Sequence, residues 1–434
     1  MIVWAVFAAL LGCAIVYRFC AVNFTGPWWA SALLVFGAGT ALGIGLTSCL
    51  FLVCKLAAPG VPKLALFVEI ACFGRLAAGL HRPKWNVSLP FPKLALALGA
   101  AALITSTAMW TAWKANPQGN WDAWAMWNLR ARFLAADGDL PRRAWSPALA
   151  EVHPEYPLLL PSFVARCWTY SGSAGTAAPI TAAYLFFLAL LATLAGGFAL
   201  LRGPTAGILL GLTLLGTPTL LHEVWAQYAD VPLTCYFAGA MIFVLLDRPI
   251  LAGVFAGLAS WTKDEGVLFL AVFLVATLFL RRSKFSRVLI GAIPGTCVAA
   301  LFKLTLAPAG PMYFRRGLST LIERATEPGR LPQIAAAFSH QLSVLHSGWY
   351  HPLWPVVALM VTLRFQRGPR PEFLFCAFVP AVMLAGYFSI FLITPYPLPW
   401  QLGSSLDRLM VQLWPLLLLA LFIPLHFPES APTA

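Results

Sequence analysis

Asp122 stands in the stretch NWDAWAMWNLRARFLAADGDL (Asn120 to Leu140), with Trp121, Trp124 and Trp127 around it. A carboxylate among aromatic rings suits a general base acting on a hydroxyl or an amine, and it equally suits the N-cap of the helix predicted for AWAMWNLRARFL. Glu223 and Asp230 stand near the start of YADVPLTCYF, where they could orient a substrate. With Asp122, Asp230 could hold a divalent ion, and ordinary helix-end capping accounts for both equally well. Lys263 and Arg408, with Arg130 or Arg132, are the cations that could neutralise a phosphate leaving group. Lys263 beside Asp264 in WTKDEG also reads as a structural ion pair. Asp264, Glu265 and Asp407 would add polar lining, and His153 and Glu155 would serve as supporting acid/base groups. Together these residues supply a base, cations for an anionic leaving group, and aromatic surfaces for a substrate to rest on.

The elements that must position them are membrane helices. The chain has 434 residues, 60% hydrophobic and 10% charged, with mean hydropathy +0.79, which leaves too little polar surface to cover a soluble globule. Apolar runs of roughly 17 to 25 residues, long enough to cross a bilayer as helices, recur from end to end. They lack the ten-residue alternation of a membrane β-barrel. The spans fall near 2–22, 28–54, 94–113, 179–201, 205–221, 231–247, 250–262, 266–280, 287–306, 350–366, 372–394 and 408–426. The expected fold is therefore an all-α polytopic membrane protein with about twelve crossings, both ends on one face, plus re-entrant or interfacial helices. The start, MIVWAVFAALLGCAIVYRF, has no basic n-region and reads as a retained first span. LLGC at Leu10 to Cys13 matches a lipoprotein processing site poorly for the same reason. The nine Cys lie mostly in apolar runs, with no CxxC pair, and read as buried thiols.

RRSKFSR (Arg281 to Arg287), RFQRGPR (Arg364 to Arg370) and HRPKWNVSLPFPK (His81 to Lys93) share one face under this count, and the positive-inside rule makes that face cytoplasmic. Of the 16 Asp and Glu, only Glu69, Asp247, Glu372 and Glu429 then lie inside. Several outer acids border apolar helices, where a charge is tolerated mainly if it lines a cavity; a polar, outward-facing cavity follows. Leu64 to Leu80, which carries Glu69 and Arg75, is expected as an interfacial cytoplasmic helix. Residues 1–93 thus form a two-helix extension, 94–426 the core, and 427–434 a short cytoplasmic tail. Two long outer loops, 115–156 and 307–349, exceed the length of ordinary connections and point to function. HPEYPLLLPSFVARCW (His153 to Trp168) is expected as a re-entrant or interfacial helix, and WTKDEG as the tip of a helix hairpin open to the cavity.

An acid in the first large outer loop, EYPLLLPSF soon after it, YADVPLTCYF opening a later helix, ASWTKDEG at a hairpin and SSLDRLMVQLWPL before the last helix resemble the GT-C superfamily. These membrane glycosyltransferases use polyprenyl-phosphate sugars and include protein O-mannosyltransferases and the lipid A aminoarabinose transferase. The resemblance covers about residues 94–426. It implies an active site on the periplasmic side of the inner membrane, a polyprenyl-phosphate sugar as donor, and a lipid, glycan or protein as acceptor. The lone WDAW departs from the paired acids of many relatives.

Other classes fit less well. No GxxxxGK[ST] motif supports an ATP-driven pump, and neither HExxH nor GxSxG occurs. The net charge of +13 needs no nucleic acid, because about half of the Lys and Arg fall in cytoplasmic loops. NFT at Asn23 and NVS at Asn86 match glycosylation sequons. A secondary transporter or lipid flippase is the alternative, although paired broken helices in two halves are not seen: only WTKDEG breaks an apolar run.

Overall fold

The computed structural model describes residues 1–20, 26–80, 93–308, 318–344, 352–363, 365 and 370–427. Most of His81 to Lys93 and of Arg364 to Arg370, both sequons, Glu429, the tail and parts of loop 307–349 lie outside these residues. Every named element among those described is helical, beside one isolated bridge between Phe365 and Leu425.

Seven helical stretches are long and apolar enough to cross a membrane, eight with one bent pair, so the chain is a multi-pass membrane protein. They are α1 (Ile2–Cys20), α2 (Trp28–Ala57), α4 (Leu94–Ala115), α7 (Ala177–Arg202), α13 (Phe285–Leu301) with its π-helical continuation Phe302–Leu306, α17 (Arg370–Ile393) and α18 (Leu398–Phe422). The bent pair is α8 (Pro204–Leu215) with α9 (Pro218–Trp225), which turn 67° at Gly216–Thr217. Pro218 supplies the break, since it cannot continue the hydrogen-bond ladder of α8. Shorter helices complete the bundle: α3 (Leu64–Ala77), α5 (Leu129–Ala135), α6 (Leu159–Ser171), α10 (Asp230–Leu245), α11 (Pro249–Thr262), α12 (Asp264–Leu280), α14 (Leu318–Ala325), α15 (Arg330–Val344) and α16 (Leu353–Thr362).

Small residues set a close helix contact. Gly253 and Gly257 of α11 face Gly291 and Gly295 of α13, and a Cβ on Gly253 would stand 2.0 Å from the Val288 carbonyl oxygen. Two GxxxG patterns therefore let the backbones touch, where association without a hydrophobic drive depends on close packing.

Hydrogen bonds and ion pairs sort the helix ends to two ends of the bundle. At one, Lys55 of α2 donates to the Ala136 carbonyl (2.9 Å), Trp113 of α4 to that of Trp225 (3.1 Å), and the backbone N–H of Asn120 to that of Ala226 (3.1 Å). At the other, Arg281 pairs with Glu372 (2.7 Å), Lys284 with Asp247 (3.0 Å), and Arg202 donates to Leu425 (2.9 Å).

Two expectations change here. Leu64 to Leu80 is not an interfacial helix on the face away from residues 115–156. Its helix, α3, runs beside α1 and in the same direction: Phe73 meets Phe7, and Arg18 donates to the Gly79 carbonyl. Glu69 is fully buried in an ion pair with Arg166 of α6, joined by the Tyr170 hydroxyl at 3.1 Å. A carboxylate costly in lipid is thus enclosed by protein. The stretch from His153 to Trp168, expected as a re-entrant or interfacial helix, contains most of α6, which is enclosed almost throughout and hydrogen-bonded from Ser48 of α2 to the Leu159 carbonyl (2.7 Å). The last span also starts earlier than 408, at Leu398, so Arg408 lies well inside α18.

Candidate functional site

Asp122 opens a π-helix, Asp122–Asn128, that leads directly into α5. Gly119 makes the turn before it with φ 72°, a conformation glycine adopts without strain. A side chain there would also press within 2.7 Å of the Ala226 carbonyl. The segment is therefore pinned to the α9–α10 junction, which carries Glu223 and Asp230.

Arg408 is the hub. Its Nη2 donates to Asp122 Oδ2 and to Asp230 Oδ2, both at 2.7 Å, and its Nε donates to Asp230 Oδ2 at 3.2 Å. Glu223 Oε2 lies 3.7 Å from Nε, and the Tyr228 ring lies 4.4 Å from the guanidinium carbon. Lys263 holds the other Asp230 oxygen at 2.9 Å and Glu265 at 3.0 Å. Gln412, one turn beyond Arg408, donates to Asp230 Oδ1 and is itself fixed by the Tyr387 hydroxyl (2.6 Å). Burial pushes the Tyr228 hydroxyl up to about 12; Asp122 adds to the rise and Arg408 opposes it.

These groups line a cavity of about 430 Å³, with Trp121, Tyr156, Tyr396 and Trp400 among its walls. Of the residues singled out in the sequence, Asp122, Asp230, Lys263, Glu265, Arg408 and His153 line it, and Glu223 reaches Arg408 from behind. Glu155 backs the site through a 3.0 Å hydrogen bond with His153. Burial pushes the Glu155 carboxyl up, but the His153 bond, a backbone bond and the charge of Lys303 outweigh it, so it rests below the ordinary value. Neither Asp122 nor Asp230 acts as an N-cap: Trp121 and Ala229 hold those positions, without side-chain caps.

Three expected residues stand elsewhere. Arg130 is fully buried, its guanidinium donating to the carbonyls of Ala144, Pro154 and Tyr156 at 2.8, 3.1 and 2.6 Å. It clamps the loop that carries His153 and has no reach to a phosphate. Asp264 turns to Lys303 (2.6 Å), and Asp407 caps the backbone amide of Arg408 (2.8 Å). Gln412, Tyr387, Tyr228 and Ser405 went unmarked in the sequence. Gln401, Ser405, Arg408 and Gln412 recur at helical spacing on α18, and that polar stripe was the available signal.

Two features bear on chemistry. Asp122, Glu151, Asp230, Glu265 and Glu223 outnumber Lys263 and Arg408, so both cations are engaged by carboxylates. Among the described residues, no three His, Cys, Asp or Glu form a metal-binding group. Asp122 and Asp230, suggested for a divalent ion, share Arg408 instead of making a ligand set.

Comparison of the chain with protein-family models, with curated proteins and with solved structures finds no match.

Proposed function

We propose that the chain is a membrane glycosyltransferase of GT-C type that moves a sugar from a polyprenyl-phosphate donor to a lipid, glycan or protein acceptor. The observation that carries this reading is Arg408 bridging Asp122 and Asp230 in an aromatic-walled cavity at one end of a bundle of apolar helices. The basic stretch Arg281 to Arg287 lies at the other end, beside Glu372 and Asp247. The positive-inside rule then puts the cavity on the outer, periplasmic face of the inner membrane. Membrane lipids surround the remaining helices, and with α3 among the lengthwise passes the count becomes thirteen in place of twelve.

The donor phosphate takes the Arg408 Nη2 proton donor from Asp122, the least buried of the three carboxylates on that guanidinium. Asp122, released, accepts the proton of the acceptor hydroxyl as its oxygen attacks the anomeric carbon. The bond from that carbon to the phosphate oxygen breaks, and Lys263 and Arg408 hold the charge that develops on the leaving phosphate. Asp230 and Gln412 keep both cations in place throughout.

Asp122→Asn tests the assignment, because it retains size and a hydrogen-bond acceptor for Arg408 but cannot take the proton. Transfer from a radiolabelled polyprenyl-phosphate sugar in membranes should fall on the order of 10² to 10⁴-fold, with thermal stability near wild type. Near-normal transfer by the folded variant would remove Asp122 as base and leave Asp230 as the candidate. The carboxylate surplus favours one other reading, a transporter or flippase coupled to a cation. Cation-dependent lipid movement in proteoliposomes, with no sugar transfer, is the result that would select it.

A further inference from the structure

A second cavity, of about 650 Å³, opens beside the first, and Trp121 lines both. We propose that this second cavity binds an uncharged saccharide, the acceptor whose hydroxyl is presented to Asp122; the inference rests on the glycosyltransferase reading above.

The π-helix divides its residues between the two spaces. Asp122 and Met126 line the acidic cavity, while Trp124 and Asn128 line the second; Trp121, which precedes the helix, lines both. The chemical contrast is sharp. The second cavity has no carboxylate among its lining residues; it has the side-chain amides of Asn116, Gln118, Asn120 and Asn128, one guanidinium from Arg132, and two indoles. Amides both donate and accept, which matches the paired character of sugar hydroxyls. Trp121 and Trp124 are about half exposed and meet edge to face at 6.4 Å, so they offer apolar faces of the kind that cover a pyranose ring. The volume falls in the range of small-molecule sites.

An independent observation points to a ligand. Asn128 is only 6% exposed, yet its amide nitrogen has no hydrogen-bond partner in the structure. Such a group is costly to leave unmade, and a saccharide hydroxyl in the cavity that Asn128 lines would complete it. Two hydrogen bonds hold its rim: Asn116 donates to the Gly119 carbonyl (2.9 Å) and Gln227 to that of Pro117 (3.2 Å).

The test uses the full chain in lipid nanodiscs and saturation-transfer NMR with the methyl glycosides of glucose, mannose, galactose and N-acetylglucosamine. At least one should bind, and Trp124→Ala and Asn128→Leu should each weaken it about tenfold or more. Trp110→Ala, which removes an exposed indole of α4 outside the cavity, should not. Asp122→Asn should bind the glycoside like wild type while losing transfer. If no glycoside binds, or if Trp124→Ala and Asn128→Leu bind as well as wild type, the proposal is overturned and Trp121 and Trp124 are anchors at the membrane interface. If glycosides bind through Trp124 but no donor supports transfer, the saccharide site stands and the transferase reading fails.

Discussion

Arg408 is the residue that joins Asp122, Asp230 and Glu223 in the acidic site, and its strength comes from being forked. A planar guanidinium meets carboxylates from different helices through donors fixed in one plane, whereas the ammonium of Lys263, which also meets two, is a point charge on a rotatable stem. Glu155 likewise depends on its neighbours on the loop side, where a hydrogen bond with His153, a backbone bond and the charge of Lys303 outweigh burial. Its carboxyl sits below the ordinary value, so it adds stability that is fully present above the unfolded value of about 4.3 and is lost as pH falls through the folded one. His153→Phe keeps the ring stacked on Tyr156 but removes the bond, leaving burial to push Glu155 up. Loss of stability should therefore begin at higher pH in the variant, read as melting temperature between about pH 3.5 and 6. Superimposable profiles would show that His153 does not set the charge of Glu155. The site acids were legible in the sequence because a charge beside an apolar run must be housed. Their partners were not: nothing in WTKDEG tells whether Lys263 or Lys303 takes Asp264, since pairing is decided by how α12 and α13 pack.

At the scale of elements, the least legible feature was α3. Glu69 and Arg75 made Leu64 to Leu80 too polar for lipid, and the inference that it lay at the surface followed from treating the helix alone. The structure answers the charge with a partner instead, Arg166, ninety-seven residues away. Arg166 also donates to the Trp4 carbonyl (3.0 Å), so the pair ties α1, α3 and α6 together. An enclosed pair of this kind is costly to break from one side and cheap to replace whole. Glu69→Leu should destabilise by about 3–5 kcal/mol, whereas Glu69→Leu with Arg166→Met should recover most of that loss. Thermal melts of the two single variants and the double in detergent close the cycle. Additive losses would mean that the two side chains do not depend on each other. By contrast, the α11–α13 contact was written openly in two GxxxG patterns, whose spacing alone predicts a close approach.

For the whole molecule, α3 bears on the parity of the proposed crossings. With twelve crossings, the segment after α2 would share a face with Arg281 to Arg287. In the structure Lys55 reaches Ala136 and Asp137, α3 then runs the length of α1, and α4 returns to the end where Trp113 meets Trp225. The 58–63 turn therefore belongs with the loop of Asp122, and the amino terminus lies at the same end of the bundle. Basic content had indicated the cytoplasmic face from loops alone, and that inference does not depend on the number of passes before them. Three single cysteines separate the schemes: Gly60→Cys, where added atoms meet open space, Asp137→Cys and Ser283→Cys. In intact cells, with the native cysteines replaced, a membrane-impermeant maleimide should label positions 60 and 137 and leave 283 untouched until the membrane is opened. Position 60 protected together with 283 would restore the twelve-crossing scheme. It would also put Lys55 on the opposite side of the membrane from Asp137, and the packing of α3 against α6 could then not stand.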